Sequence, residues 1–155
     1  MFKLLPLLLV FVPACGVDSV ARKAAIEEVF SELNTVFDCE VVTMVETTDG
    51  DTDFDPILVI SIDDLGKYTG WADLPNRTLK IDDTVSANKV TYILAHELGH
   101  IFGLEHGTTD QCFLMSEKPA YPLSSSEAVT QLKTCLEEKK IFLCQYKPQK
   151  VKLAL

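Results

Sequence analysis

Positive charge is scarce in this chain: 14 Lys and Arg stand against 23 Asp and Glu, a formal charge of −9, which is the wrong sign for a protein held to phosphate backbones. Nucleic acid is therefore excluded as an expected partner. Glycine and proline are also few, seven each, which rules out a collagen-like or low-complexity polymer. No internal repeat is present, and the longest apolar run, Leu4 to Val12, falls far short of the roughly 20 residues that cross a bilayer as a helix. Histidine is the scarcest of the reactive side chains. There are three, and all lie between His96 and His106. With 155 residues, 47% of them apolar, the chain has the material for one hydrophobic core and little room for a second.

The N-terminus has the pattern of an export signal: Lys3, the apolar run, then Pro13-Ala14 before Cys15. Residues 1–14 are expected to be that signal and residues 15–155 a single domain. Val12-Pro13-Ala14-Cys15 also looks like a bacterial lipobox, in which Cys15 takes lipid and attaches the chain to a membrane. The expected location is periplasmic, or on the outer membrane or cell surface as a lipoprotein, and otherwise secreted. Five cysteines make an odd count. Setting Cys15 aside leaves Cys39, Cys112, Cys135 and Cys144, an even set suited to two disulfides in an oxidising compartment, with three connectivities open.

After Asp18-Ser19, which can cap a helix, Val20, Ile26, Phe30, Leu33 and Phe37 recur near a 3.6 period, predicting an amphipathic helix. The Val- and Thr-rich stretch from Cys39 to Glu46 and the apolar run within Pro56 to Asp63 predict two strands. Thr78 to Asp82 alternates apolar with polar and predicts a strand with one wet face, lying at a sheet edge. Ser86 to Phe102 predicts a second helix ended by Gly103, with Val90, Ile93, Leu94, Leu98 and Ile101 on its core stripe. Ser124 to Glu127 forms the Ser-x-x-Glu capping box of a last helix carrying Ala128, Leu132, Cys135 and Leu136 on one face. The tail from Gln145 is expected to be a solvated strap. Trp71, the only tryptophan, fits either the core or a cleft rim.

Within the second helix, His96 and His100 are four residues apart and so share one face, where one zinc ion can bind both. Glu97 is rotated by roughly 100° from His96, out of the ligand set and towards the open coordination position. Gly103 allows a sharp reversal that returns His106 as a third ligand. The segment from His96 to His106 resembles the metzincin zinc peptidases, matching His-Glu-x-x-His-x-x-Gly-x-x-His at all five defining positions, with Gly99, Leu104 and Glu105 leaning towards the matrixin branch.

The resemblance implies an α+β, metzincin-like zincin fold: a twisted mixed sheet, an N-terminal helix, a zinc helix, a C-terminal helix and a Met-turn, for which Met115 is placed nine residues after His106. It implies one catalytic Zn²⁺, protein or peptide substrates and, as general base, Glu97. Pro119-Ala120-Tyr121 resembles the wall of the pocket beyond the scissile bond. The strand around Leu79 and Ile81 is the expected edge for an extended substrate. Related folds favour staples Cys39 with Cys144 and Cys112 with Cys135. Pro13 to Asp18 also resembles the zinc-capping segment of matrixin zymogens, without its Arg. Gly107 follows the third ligand where the subfamilies usually carry Ser, Thr, Asp or Glu, and no histidine remains for a matrixin structural zinc. The run from Asp49 to Asp55 spaces four carboxylates at alternate positions, either a solvated acidic turn or a Ca²⁺ loop without the full EF-hand pattern. The chain is expected to act as a monomer. The alternative reading is a non-catalytic, zinc-stabilised module that binds peptides or proteins at the cell envelope.

Overall fold

A computed structural model describes residues 15–46, 57–118 and 123–155 of the chain. The expected signal segment, the alternating aspartates of Asp49 to Asp55, and Tyr121 lie outside the described residues, as does the side chain of Cys15. The elements run α1 (Cys15–Phe37), β1 (Val42–Met44), β2 (Leu58–Asp63), β3 (Gly70–Asp73), β4 (Thr78–Asp82), α2 (Ala87–Ile101), α3 (Ser125–Glu138), a short 3-10 turn (Leu143–Gln145) and β5 (Gln149–Ala154). The architecture is α+β: three helices and one mixed five-stranded sheet of order β1-β5-β2-β4-β3, parallel except where β3 pairs antiparallel with β4.

Each helix forms for a local reason. On α1 the stripe Ile26, Val29, Phe30, Leu33 and Phe37 is buried, at roughly 1.5–3 kcal/mol per side chain removed from water. Val20, expected on that stripe, is 70% exposed, and the expected cap at Asp18-Ser19 is inside the helix, which starts at Cys15. The 3.6-residue period continues past the end of the packing surface, so Val20 stands mostly in solvent. Helix α3 carries the predicted capping box: Ser124 accepts from the Glu127 backbone N–H, and the Glu127 carboxylate accepts from the Ser124 N–H. Helix α2 packs against α1, α3, β3 and β4, and every residue from Val90 to Gly99 is buried. A helix buried this far along its middle takes polar residues inside with it, and these include Thr91, His96 and Glu97.

The sheet departs from the sequence-based expectation at two strands. Strand β4 is interior, between β2 and β3, and the sheet edge on that side is β3, with β1 at the opposite edge. Alternation along Thr78 to Asp82 reports one half-solvated face, which an interior strand of a two-layer domain also has. Leu79 and Ile81 point to the helices and are 0% exposed, so they line the core and not a substrate groove. The expected strap from Gln145 instead enters β5, which pairs in parallel with both β1 and β2 and buries Val151 completely. Lys150-Val151-Lys152-Leu153 is a period-2 pattern with lysines on the half-solvated face, and that signal was available in the sequence.

Two disulfides brace these layers. Cys39–Cys144 ties the end of α1 to the turn before β5, and Cys112–Cys135 ties the segment after His106 to α3. Their separations of 105 and 23 residues correspond to about 5 and about 3 kcal/mol of lost unfolded-state entropy. Both pairs are those that the family resemblance favours. Two such bridges fit an oxidising, extracellular environment. No helix among the described residues is long and apolar enough to cross a membrane.

Candidate metal centre

The site is assembled by one helix and the turn that ends it. His96 and His100 project from successive turns of α2, and their rings meet edge to face at a centroid distance of 4.9 Å. At Gly103 the backbone takes φ +102°, a conformation that a side chain resists. The Gly103 N–H donates to the His100 carbonyl and the Leu104 N–H to the Gly99 carbonyl, closing the helix and reversing the chain. His106 returns over the same face. Its Nε2 lies 3.2 Å from His96 Nε2 and 3.1 Å from His100 Nε2.

The other ring nitrogens show what these three atoms are arranged to do. His96 Nδ1 is 2.7 Å from the Leu114 carbonyl, and His100 Nδ1 is 2.8 Å from the Leu104 carbonyl. A carbonyl can only accept, so both Nδ1 atoms carry the proton and both Nε2 atoms present bare lone pairs. Burial holds both imidazoles below the ordinary histidine pKa, favouring this neutral state. Two lone pairs aimed at the same point as His106 Nε2 form a set that one cation can share. Ligands 2.0–2.1 Å from a tetrahedral zinc are separated by about 3.3 Å, close to the spacing observed. The three histidines therefore fit a metal ion of the zinc type.

Beneath them lies Met115, buried, against the helix backbone. A Cβ built at Gly99 would sit 2.6 Å from Met115 Sδ and 3.3 Å from Leu104 Cδ1, so the methionine uses the space that the absent side chain leaves. The Met115 carbonyl accepts from the Gly107 N–H at 3.1 Å, joining this segment to the one that carries His106.

Glu97 faces the edge strand. It is 8% exposed, and its carboxyl accepts from the Ala72 backbone N–H and lies where a Cβ of Gly70 would be, 2.7 Å from Oε1. Burial pushes its pKa from 4.5 to about 7, with the Ala72 hydrogen bond opposing. A cleft of about 540 Å³ joins these groups, lined among others by Trp71, Tyr92, Ile93, Glu97 and the three histidines. Trp71 is 48% exposed and packs edge to face with Tyr68, so it belongs to the cleft rim.

The structure thus brings His96, His100, His106, Glu97 and Met115 together, and separates Leu79 and Ile81 from them. Sequence reasoning missed the β3 edge, which is only four residues long, and Tyr92, whose hydroxyl donates to the Leu114 carbonyl at 2.9 Å. The spacing of Tyr92 to His96, one helical turn, was the available signal. A second acidic group, Asp64, Asp82 and Asp83, brings carboxylate oxygens within 4.8 Å of one another. Asp82 there accepts from the Leu65 and Thr84 N–H groups and the Thr84 hydroxyl, which explains it as a brace of the turns beside β4.

Compared with family models, curated proteins and solved structures, the chain matches none.

Proposed function

We propose that this chain is a zinc-dependent endopeptidase of metzincin type, with a matrixin-like catalytic domain and Met115 in the Met-turn. The observation that carries the reading is the convergence of three imidazole Nε2 atoms beside a buried carboxyl group that is no part of the ligand set, in an open cleft. A purely structural zinc site closes its fourth position and needs no base.

His96, His100 and His106 would hold the ion, and bound there zinc would supply Lewis acidity, making water easier to deprotonate and polarising the peptide carbonyl. Glu97 takes the proton as the water oxygen attacks the carbonyl carbon and returns it to the departing nitrogen as the C–N bond breaks. Burial of the carboxyl, which raises its proton affinity, suits a group that must both accept and release a proton.

The substrate chain adds to the free edge of β3, which takes the place of the strand expected from the sequence. The Asp82 N–H donates to the Thr69 carbonyl, and by the alternation of an antiparallel ladder the polar groups of Gly70 and Ala72 face away from β4 towards the cleft, where the Ala72 N–H is taken by Glu97 and the Gly70 N–H and the two carbonyls remain for the substrate. Export is part of this reading, to the periplasm, the cell surface through lipid on Cys15, or the medium.

The test is metal content by elemental analysis beside cleavage of casein and a peptide library. A protein loaded with one zinc per chain that cleaves neither would overturn the peptidase and favour the binding module.

A further inference from the structure

The Leu114 carbonyl lies in the loop between His106 and α3, yet it accepts two buried donors at once: His96 Nδ1 at 2.7 Å and the Tyr92 hydroxyl at 2.9 Å. Both donors come from α2, one turn apart on the same face, and their rings stack with an interplanar angle of 23° at 6.2 Å. Tyr92 is 3% exposed, and this is the hydrogen bond that satisfies its hydroxyl. A carbonyl oxygen has two lone pairs, so the two donors complete it and neither displaces the other. The loop is anchored on its other side by the Cys112–Cys135 bridge and by the Phe113 N–H donating to Gln131 Oε1 at 3.1 Å. Those anchors fix where the loop lies. The direction of the carbonyl of Leu114 is a separate matter, since a peptide plane can turn while its neighbours stay in place.

We propose that Tyr92 is a positioning residue for the metal centre: its hydroxyl fixes the Leu114 carbonyl in the direction that keeps the proton of His96 on Nδ1 and its Nε2 free to bind the ion. The group bonded to the outer nitrogen of a metal-binding histidine sets its tautomer and ring orientation, and losing such a partner typically weakens metal binding 10- to 100-fold. Tyr92 touches neither ion nor substrate in this role. It acts through Leu114. The inference rests on the zinc reading above, but its first consequence, the tautomer of His96, exists without metal.

The test compares Tyr92→Phe with Tyr146→Phe, a control that removes the same oxygen from a ring 66% exposed and outside the site. In the metal-free protein at pH 8, ¹⁵N correlation spectra of the imidazoles should show His96 as the Nδ1–H form in the unmutated chain and the control, and a second tautomer in Tyr92→Phe. Zinc titration should give a dissociation constant raised 10- to 100-fold in Tyr92→Phe and unchanged in the control. In the unmutated chain the Tyr92 hydroxyl proton should show a nuclear Overhauser contact with His96 Hδ1, a measurement that stands if the variant fails to fold. An unchanged tautomer together with unchanged zinc affinity would overturn the proposal, as would absence of that contact. A changed tautomer in a chain that binds no zinc would uphold the role of Tyr92 at His96 and sink the zinc reading instead.

Discussion

Replacing Glu97 by Gln should stabilise the metal-free protein at alkaline pH, because the buried carboxyl is held against its own ionisation. Its pKa is near 7 in the folded chain and 4.5 when free, so the folded state binds more protons than the unfolded state between those values. Stability from this group is complete below pH 4.5, falls as pH rises through about 7, and is flat beyond. The fall amounts to roughly 3 kcal/mol at about 1.4 kcal/mol for each tenfold change. Glutamine keeps an acceptor for the Ala72 N–H and cannot ionise, so it escapes that loss, offset in part by an amide NH₂ that needs its own partner. The net gain expected at pH 8 is about 1–3 kcal/mol, or roughly 3–9 °C in melting temperature for a domain of this size. At pH 5 the two proteins should melt together to within about 1 kcal/mol. His96 and His100, held below their ordinary pKa, cost stability as pH falls through that range, but they do so in both proteins and cancel. Chelator-treated protein, freed of chelator and melted by circular dichroism from pH 5 to 8.5, reads the difference directly. A variant equal to or less stable than its parent at pH 8, or a difference independent of pH, would refute the argument. The same variant reloaded with zinc should hold one ion per chain and lose peptidase activity by several orders of magnitude, and near-parental turnover would remove Glu97 from the mechanism.

The remaining expectations concern the ligands, the staples and the cleft. His100→Ala should lose both zinc and activity, and stoichiometric, tight zinc in that variant would contradict the ligand set. Thiol labelling of the denatured, unreduced protein should find no reactive group among Cys39, Cys112, Cys135 and Cys144, while Cys112→Ser with Cys135→Ser should cost about 3 kcal/mol in urea unfolding. Gly99→Ala forces a methyl group against Met115 Sδ and should cost about 1–3 kcal/mol, less if the thioether swings aside; an unchanged melting temperature would show that the methionine does not pack as described. Trp71→Ala, which strips the rim beside the β3 edge, should raise KM for peptide substrates and leave zinc content unchanged; an unaltered KM would place the substrate on another wall of the cleft.

The histidine cluster was legible in the sequence because every relation it needs is short. His96 and His100 are one helical turn apart, Gly103 is a local conformational requirement, and His106 is the next residue the reversed chain can bring back; no distant strand has to be placed first. The helices were legible for the same reason, since a stripe such as Ala128, Leu132, Cys135 and Leu136 and a capping box at Ser124 are written within a dozen residues. The cleft wall is of another kind. Whether Thr78 to Asp82 lies at the edge or inside depends on Gly70 to Asp73 pairing with it, and those four residues carry no strand pattern of their own. Strand β5 is the extreme case: its pattern was present at Lys150 to Leu153, but its value lies in neighbours about a hundred residues earlier, β1 and β2.

The path from β5 to Glu97 follows from that pairing. Strand β5 fills the gap between β1 and β2, β2 carries β4, β4 carries β3, and the Ala72 N–H of β3 meets Glu97. The position of the Glu97 carboxyl is therefore set by two agents, the helix that also bears His96 and His100 and a sheet whose order is completed by β5. A local motif can specify the ligands alone; the environment that pushes Glu97 to about 7 needs the sheet edge beside it, and only the assembled fold supplies that.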